Sequence, residues 1–162
     1  MADRMDYAAS YDNDVLEWSE HQAALLRRAA AGERVNDLDW PNIIEEIESV
    51  GRSQVDAVES LLYQALVHML KAEGWPDSLD VETWRGHARG FRAQAKRKFR
   101  ESMREKFDVP GLYSDAILEL PATMDSKAPL PLPDCTITLD KLLDKTWDGL
   151  LGEVDDDEPG LS

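Results

Sequence analysis

The sequence predicts an all-α protein: a helical bundle of three long helices with a short fourth helix and a tethered C-terminal helical turn. Three observations carry that prediction. Apolar residues recur three and four positions apart over long stretches. No segment longer than a few residues alternates with the period of a strand. Capping residues, glycines and prolines punctuate the periodic stretches at their ends.

Tyr7–Asp14 reads as a lead-in, with Asp12 or Asn13 able to accept the free amides of a first helical turn. A first helix then runs to about Ala31, with Val15, Trp18, Leu25, Leu26 and Ala29 as its buried stripe. Gln22 falls on the same side and needs a hydrogen-bond partner there. A second helix starts at Leu38-Asp39-Trp40-Pro41, where Asp39 has the better capping chemistry and a proline at the first helical position favours Trp40. Its stripe is Ile43, Ile44, Ile47, Val50, Val58, Leu61, Leu62, Leu66, Met69 and Leu70, and it ends at Gly74. Gly51 interrupts that helix at a cost of about 1 kcal/mol relative to alanine, which predicts a kink or a tight packing contact.

Ser78 or Asp80 caps a third helix, expected to continue from Val81 to about Phe107 with Trp84, Ala88, Phe91, Ala95, Phe99 and Met103 facing inward. Asp108-Val-Pro-Gly stops it, and a weaker helix over Leu112–Leu120 offers Tyr113, Ala116, Ile117 and Leu120 to the core. Residues 121–133 hold four prolines and read as an extended tether. Thr138 caps the last short helix, Leu139–Lys145. Residues 1–147 are therefore expected to form one helical domain, and 148–162 an acidic, disordered tail.

Composition narrows the classes. A chain of 162 residues, 43% apolar, is long enough for one core. Its net charge of −15 favours solubility and disfavours non-specific adhesion to nucleic acid or anionic lipid. The single cysteine, Cys135, can form neither an internal disulfide nor a cysteine-based zinc site. No apolar stretch reads as a signal peptide or a membrane span, so the expected location is the cytoplasm.

Three stretches resemble the bacterial domain of unknown function 29 family. They are Asp14, Trp18, Gln22-Ala23 and Leu25-Leu26; the run Leu38–Ser53, LDWPNIIEEIESVGRS; and Leu66-Val-His-Met-Leu-Lys71 with Trp84-Arg85. Cys135 through Leu143 adds a fainter echo. The resemblance spans roughly Tyr11 to Trp147 and implies a helical bundle with no established activity and no catalytic residues to carry over. The chain departs from the family pattern after Phe107, where its fourth helix is short and its proline stretch long.

Several constellations have chemical potential. Glu45, Glu48 and Arg52 share a helical face, where two carboxylates can bind a metal or act as acid and base; a solvated Glu48–Arg52 ion pair is the favoured reading. Di-iron bundles need a Glu-x-x-His step on each of two helices. The residues three before His21, His68 and His87 are Trp18, Ala65 and Trp84, so that pattern is missing. The three histidines do lie on three different predicted helices and are candidate zinc, nickel or iron ligands, although hydrogen-bonded packing outranks that role. Cys135 precedes a short helix that can lower its pKa, yet packing is again favoured. No cofactor fingerprint occurs.

Charge is the most informative feature. Arg85, Arg89, Arg92, Lys96, Arg97, Lys98, Arg100, Arg104 and Lys106 crowd one predicted helix, half of the chain's 18 basic residues. An exposed basic helix contacts phosphates; with so negative a chain, neutralisation by acidic neighbours or by the acidic tail is favoured. The leading functional expectation is a non-catalytic protein-interaction or regulatory module whose partner is another protein or itself. Homodimerisation is suggested by apolar positions around more than one side of Val55–Leu70. A nucleic-acid binder using residues 85–106 is the alternative, and a metal-dependent enzyme around His68 and Glu45/Glu48 the second alternative.

Overall fold

Helices start readily where a side chain satisfies the first free backbone amides, as Asp14, Asp108 and Thr138 do here; Asp80, an expected cap, makes no such bond. In the computed structural model, which describes residues 7–149 and 151, the elements are α1 (Tyr7–Asn13), α2 (Val15–Ala30), α3 (Trp40–Gly74), α4 (Val81–Lys98), a 3-10 helix (Glu101–Lys106), α5 (Val109–Leu118) and α6 (Leu139–Leu143). The protein is all-α; among the described residues the only extended pairing is an isolated bridge between Met124 and Lys127. The chain divides into two compact units, Met1–Arg52 and Ser53–Ser162.

In the first unit the lead-in is itself a helix, α1, and the cap of α2 is Asp14 rather than Asp12 or Asn13. The Asp14 carboxylate accepts from the Glu17 amide at 3.0 Å, while its own N–H donates to the Ser10 carbonyl at 2.8 Å. Trp18, Gln22 and Leu25 are the buried face of α2, and Ile43 is buried from α3. Val15, expected in that stripe, is exposed.

Gln22 finds the partners that its position demands. Its Oε1 accepts from the Asp39 amide at 2.9 Å and its Nε2 donates to the Asp37 carbonyl at 3.5 Å. The Asp39 carbonyl receives the Ile43 amide at 2.9 Å, so Asp39 stands immediately before the helix. Its carboxylate turns sideways, accepting from Trp18 Nε1 at 3.0 Å and Asn42 Nδ2 at 2.7 Å. Tyr11 completes the arrangement by donating to Glu46 at 2.7 Å with its ring edge-on to Trp18.

The second unit holds the larger core. Val58, Leu62, Leu66 and Leu70 of α3 pack with Ala95, Tyr113, Ala116, Leu142 and Leu143. A smaller cluster joins Ala72, Trp75, Val81 and Trp84. Packing continues beyond 147: Leu151 is buried and its amide donates to Glu73 at 3.2 Å. The remainder of the expected acidic tail, residues 150 and 152–162, lies outside the described residues.

Several expectations for this unit are corrected. The continuous helix 81–107 is broken, because Phe99 and Arg100 are extended before the 3-10 turn. The Arg100 guanidinium folds back to donate to the Arg97 and Phe99 carbonyls at 2.9 and 2.8 Å. An unbroken helix would offer those carbonyls to the amides of residues 101 and 103, and the crowded cations Lys96, Arg97, Lys98 and Arg100 weaken that continuation by mutual repulsion. Asp108-Val-Pro-Gly, expected only to stop a helix, starts α5: the Asp108 carboxylate accepts from the Gly111 amide. Ile117, expected inside, is exposed.

The proline stretch is extended as expected but is packed rather than a free tether. Leu130 N–H donates to the Gly74 carbonyl at 2.8 Å, Trp75 Nε1 to the Lys127 carbonyl at 2.9 Å, and Tyr113 to the Pro133 carbonyl at 2.6 Å. A Cβ at Gly74 would stand 3.1 Å from Pro129 Cβ, a tight contact, so the glycine eases the close approach of the strap. Burial pushes the Tyr113 hydroxyl up to about 12, which keeps it a donor.

Arg92, expected on the solvent face, is only 5% exposed. Its Nε donates to the Leu142 carbonyl at 2.9 Å, Nη2 to the Asp144 carbonyl at 2.5 Å, and both terminal nitrogens to the Trp147 carbonyl at 3.2 Å. The Trp147 ring covers the guanidinium at 4.7 Å. One side chain of α4 thereby fixes α6 and the segment after it.

Arg92→Met is expected to destabilise the protein by about 3 kcal/mol, since it removes the donor shared by three carbonyls; urea denaturation measures it. Arg92→Lys should recover only part of that loss, because an ammonium cannot reproduce the planar fork. In the first unit, Gln22→Ala should cost about 1–3 kcal/mol by leaving the Asp39 amide unmet, read in the same way.

Candidate functional site

The carboxylate face on α3 is a surface ion pair. Arg52 Nη2 lies 2.5 Å from Glu45 Oε1, and Nη1 lies 3.8 Å from Glu48, with all three side chains more than half exposed. The stronger contact is to Glu45, two helical turns away, and not to the expected Glu48. Solvent-exposed pairs of this kind contribute a few tenths of a kcal/mol.

The histidines separate. His21 lies in the first unit, His68 and His87 in the second. The latter two meet edge-on, ring centroids 5.1 Å apart, and His68 also lies 5.4 Å from Phe91. His68 Nδ1 is 2.8 Å from the Gln64 carbonyl, which can only accept, so that nitrogen carries the proton. Burial holds the His68 pKa below its ordinary value; the Gln64 carbonyl raises it, and Lys71 and His87 lower it. Among the described residues no three His, Cys, Asp or Glu side chains gather as a metal site requires. Cys135 is a half-buried free thiol packed against the main core.

The nine cations fall into distinct groups. Arg92 is the internal clamp, and a hollow of about 260 Å³ beside it is lined by Arg89, Leu142, Asp144 and Trp147. Arg85 pairs with Glu82 at 3.0 Å, and Arg104 with Glu101 and with Asp140 at 2.9 Å, all within the second unit. These hydrogen bonds raise the Arg104 pKa and lower that of Glu101. Arg100 spends its guanidinium on backbone carbonyls. Arg89, Lys96, Arg97, Lys98 and Lys106 are exposed, with no carboxylate within 4.0 Å among the described residues.

Sequence reasoning missed a surface that the structure makes plain. Trp40, Ile44 and Ile47 of α3, expected as helix start and core, are 54%, 52% and 67% exposed. Spaced four and three apart, they form one apolar line along the helix. Val50, also expected inside, is exposed beside it. The α1–α2 side of the unit is served by a different face of α3, carrying Asp39, Ile43 and Glu46. The second half of α3 behaves in the opposite way: its apolar residues on several sides are taken up by the chain's own core.

The chain is similar to a crystallised alpha-helical protein of unknown function from Rhodospirillum rubrum, with 25% sequence identity, 86% of this chain and 92% of that chain covered, and a TM-score of 0.55. No curated protein matches it. No helix among the described residues is long and apolar enough to cross a membrane. The family model for the domain of unknown function DUF29 matches residues 10–148. That match takes in both units, with the capped start of α2, the exposed line on α3 and the Arg92 clamp, and the chain belongs to the DUF29 family.

Proposed function

We propose that this chain is a non-catalytic protein-interaction module, acting in the bacterial cytoplasm, that docks partners on the exposed apolar line of α3. The observation that supports this reading is the contrast along one helix. Its second half buries its apolar residues in the chain's own core, while Trp40, Ile44 and Ile47 stay in water. Adjacent exposed large apolar groups raise the free energy of the isolated chain and gain it back only when covered. Tryptophan is also the residue most enriched among the energetic centres of interfaces. The half-buried free thiol of Cys135 is compatible with a reducing compartment.

A second reading has one observation in its favour. Arg89, Lys96, Arg97 and Lys98 are exposed on α4 without carboxylate partners among the described residues, which suits contact with nucleic-acid phosphates. Titration with duplex DNA and with RNA at low and high salt tests it. Affinity that falls steeply with salt supports it, and no binding at low ionic strength removes it.

For the leading reading, a photo-crosslinking amino acid placed at Ile47 is expected to capture a protein adduct in cells, whereas the same group at exposed Arg27 captures none. Equal yields at the two positions would refute the docking surface. Ile44→Glu with Ile47→Glu should abolish capture by a crosslinker at Val50 and leave stability within about 0.5 kcal/mol, as surface substitutions do.

A further inference from the structure

Gly51 has no role within its own chain. It lies inside α3, it is exposed, and a Cβ added there would meet nothing within 4 Å. Neither a tight packing contact nor an interruption of the helix bounds accounts for it, although a glycine weakens a helix interior relative to alanine. It does stand four residues beyond Ile47, on the same line as Trp40 and Ile44. The sequence of that line is therefore large, medium, medium, absent.

Such a line is complementary to itself when reversed. We infer that the partner of this face is a second copy of the chain, paired antiparallel so that each Trp40 lies over the Gly51 of the other copy. The inference rests on the reading of this face as a docking surface. In that register Ile44 of one copy meets Ile47 of the other, and each contact occurs twice, as a two-fold interface requires. The steps of four, three and four are those of a helix–helix seam in which side chains fill the holes of the facing helix. A parallel pairing fails on shape: tryptophan would meet tryptophan at one end, and glycine would meet glycine across a gap at the other.

Charge agrees with shape. The line from Trp40 to Gly51 carries no charged side chain, which matters for a chain of net charge −15 approaching its own copy. Glu45 is held by Arg52 away from the line. Glu48, at its edge, is partly neutralised by Arg52 of its own chain at 3.8 Å. A seam of four residues per copy is smaller than the roughly 800 Å² per partner of a standard interface, so the dimer is a weak one that dissociates on dilution.

Sedimentation velocity of the full chain, from micromolar to near-millimolar concentration, tests the inference. The expected result is a monomer–dimer equilibrium that Trp40→Ala weakens at least tenfold. Gly51→Leu fills the slot and should abolish the dimer while raising the melting temperature of the monomer, so that loss of association cannot be mistaken for unfolding. In a Cys135→Ser background, Ile44→Cys mixed with Ile47→Cys should give a disulfide between one of each, and either variant alone much less. A dimer indifferent to Gly51→Leu, or one that cross-links through Ile44→Cys alone, overturns the proposed seam. A wild-type chain that stays monomeric throughout also overturns it. If the crosslinker at Ile47 then captures a protein of different mass in cells, the docking surface survives and only the self-pairing is lost; if it captures nothing, both fall.

Discussion

A buried guanidinium whose hydrogen bonds go to backbone carbonyls is an unusual thing to build a fold around, and Arg92 is that group in the second unit. Its donors reach carbonyls at Leu142, Asp144 and Trp147, three points on a stretch that contains only one short helix. Five residues of helix cannot hold themselves together in water. What keeps α6 and its sequel in place is the fork of Arg92 on one side and the apolar residues Leu142 and Leu143 on the other. The desolvated charge and the carbonyls turned toward it answer each other.

The first unit solves a similar problem with neutral chemistry. Gln22 binds the backbone at Asp37 and Asp39, and Asp39 in turn gathers Trp18 and Asn42. The segment between α2 and α3 is thus shaped by a side chain of α2, and the start of α3 is positioned by the same carboxylate. Because that network occupies one face of α3, the face that bears Trp40, Ile44 and Ile47 is left over. The apolar line follows from how the unit is assembled.

Much of this was legible in the residues. Spacing identified the helices, Thr138 and Gly74 marked a start and a stop, and the polar Gln22 on an apolar stripe announced its need for partners. Arg92 was not legible, since a cation among cations reads as solvent-facing and its acceptors are backbone atoms some fifty positions downstream. The break at Phe99 was hidden because tertiary packing and carbonyl capture by Arg100 overrode a good helical period. Trp40, Ile44 and Ile47 were hidden for a deeper reason: a helical period reports that a face wants to leave water, and it is silent on whether the cover comes from the same molecule.

The close approach of Gly74 to Pro129 has its own consequence for how such sequences can diverge. A methyl group at 74 would press on the proline ring, and the strap would have to give by a few tenths of an ångström while keeping the Leu130 amide on the Gly74 carbonyl and the Trp75 indole on Lys127. Positions 74 and 129 are therefore coupled: a side chain added at the first has to be absorbed by a small retreat at the second.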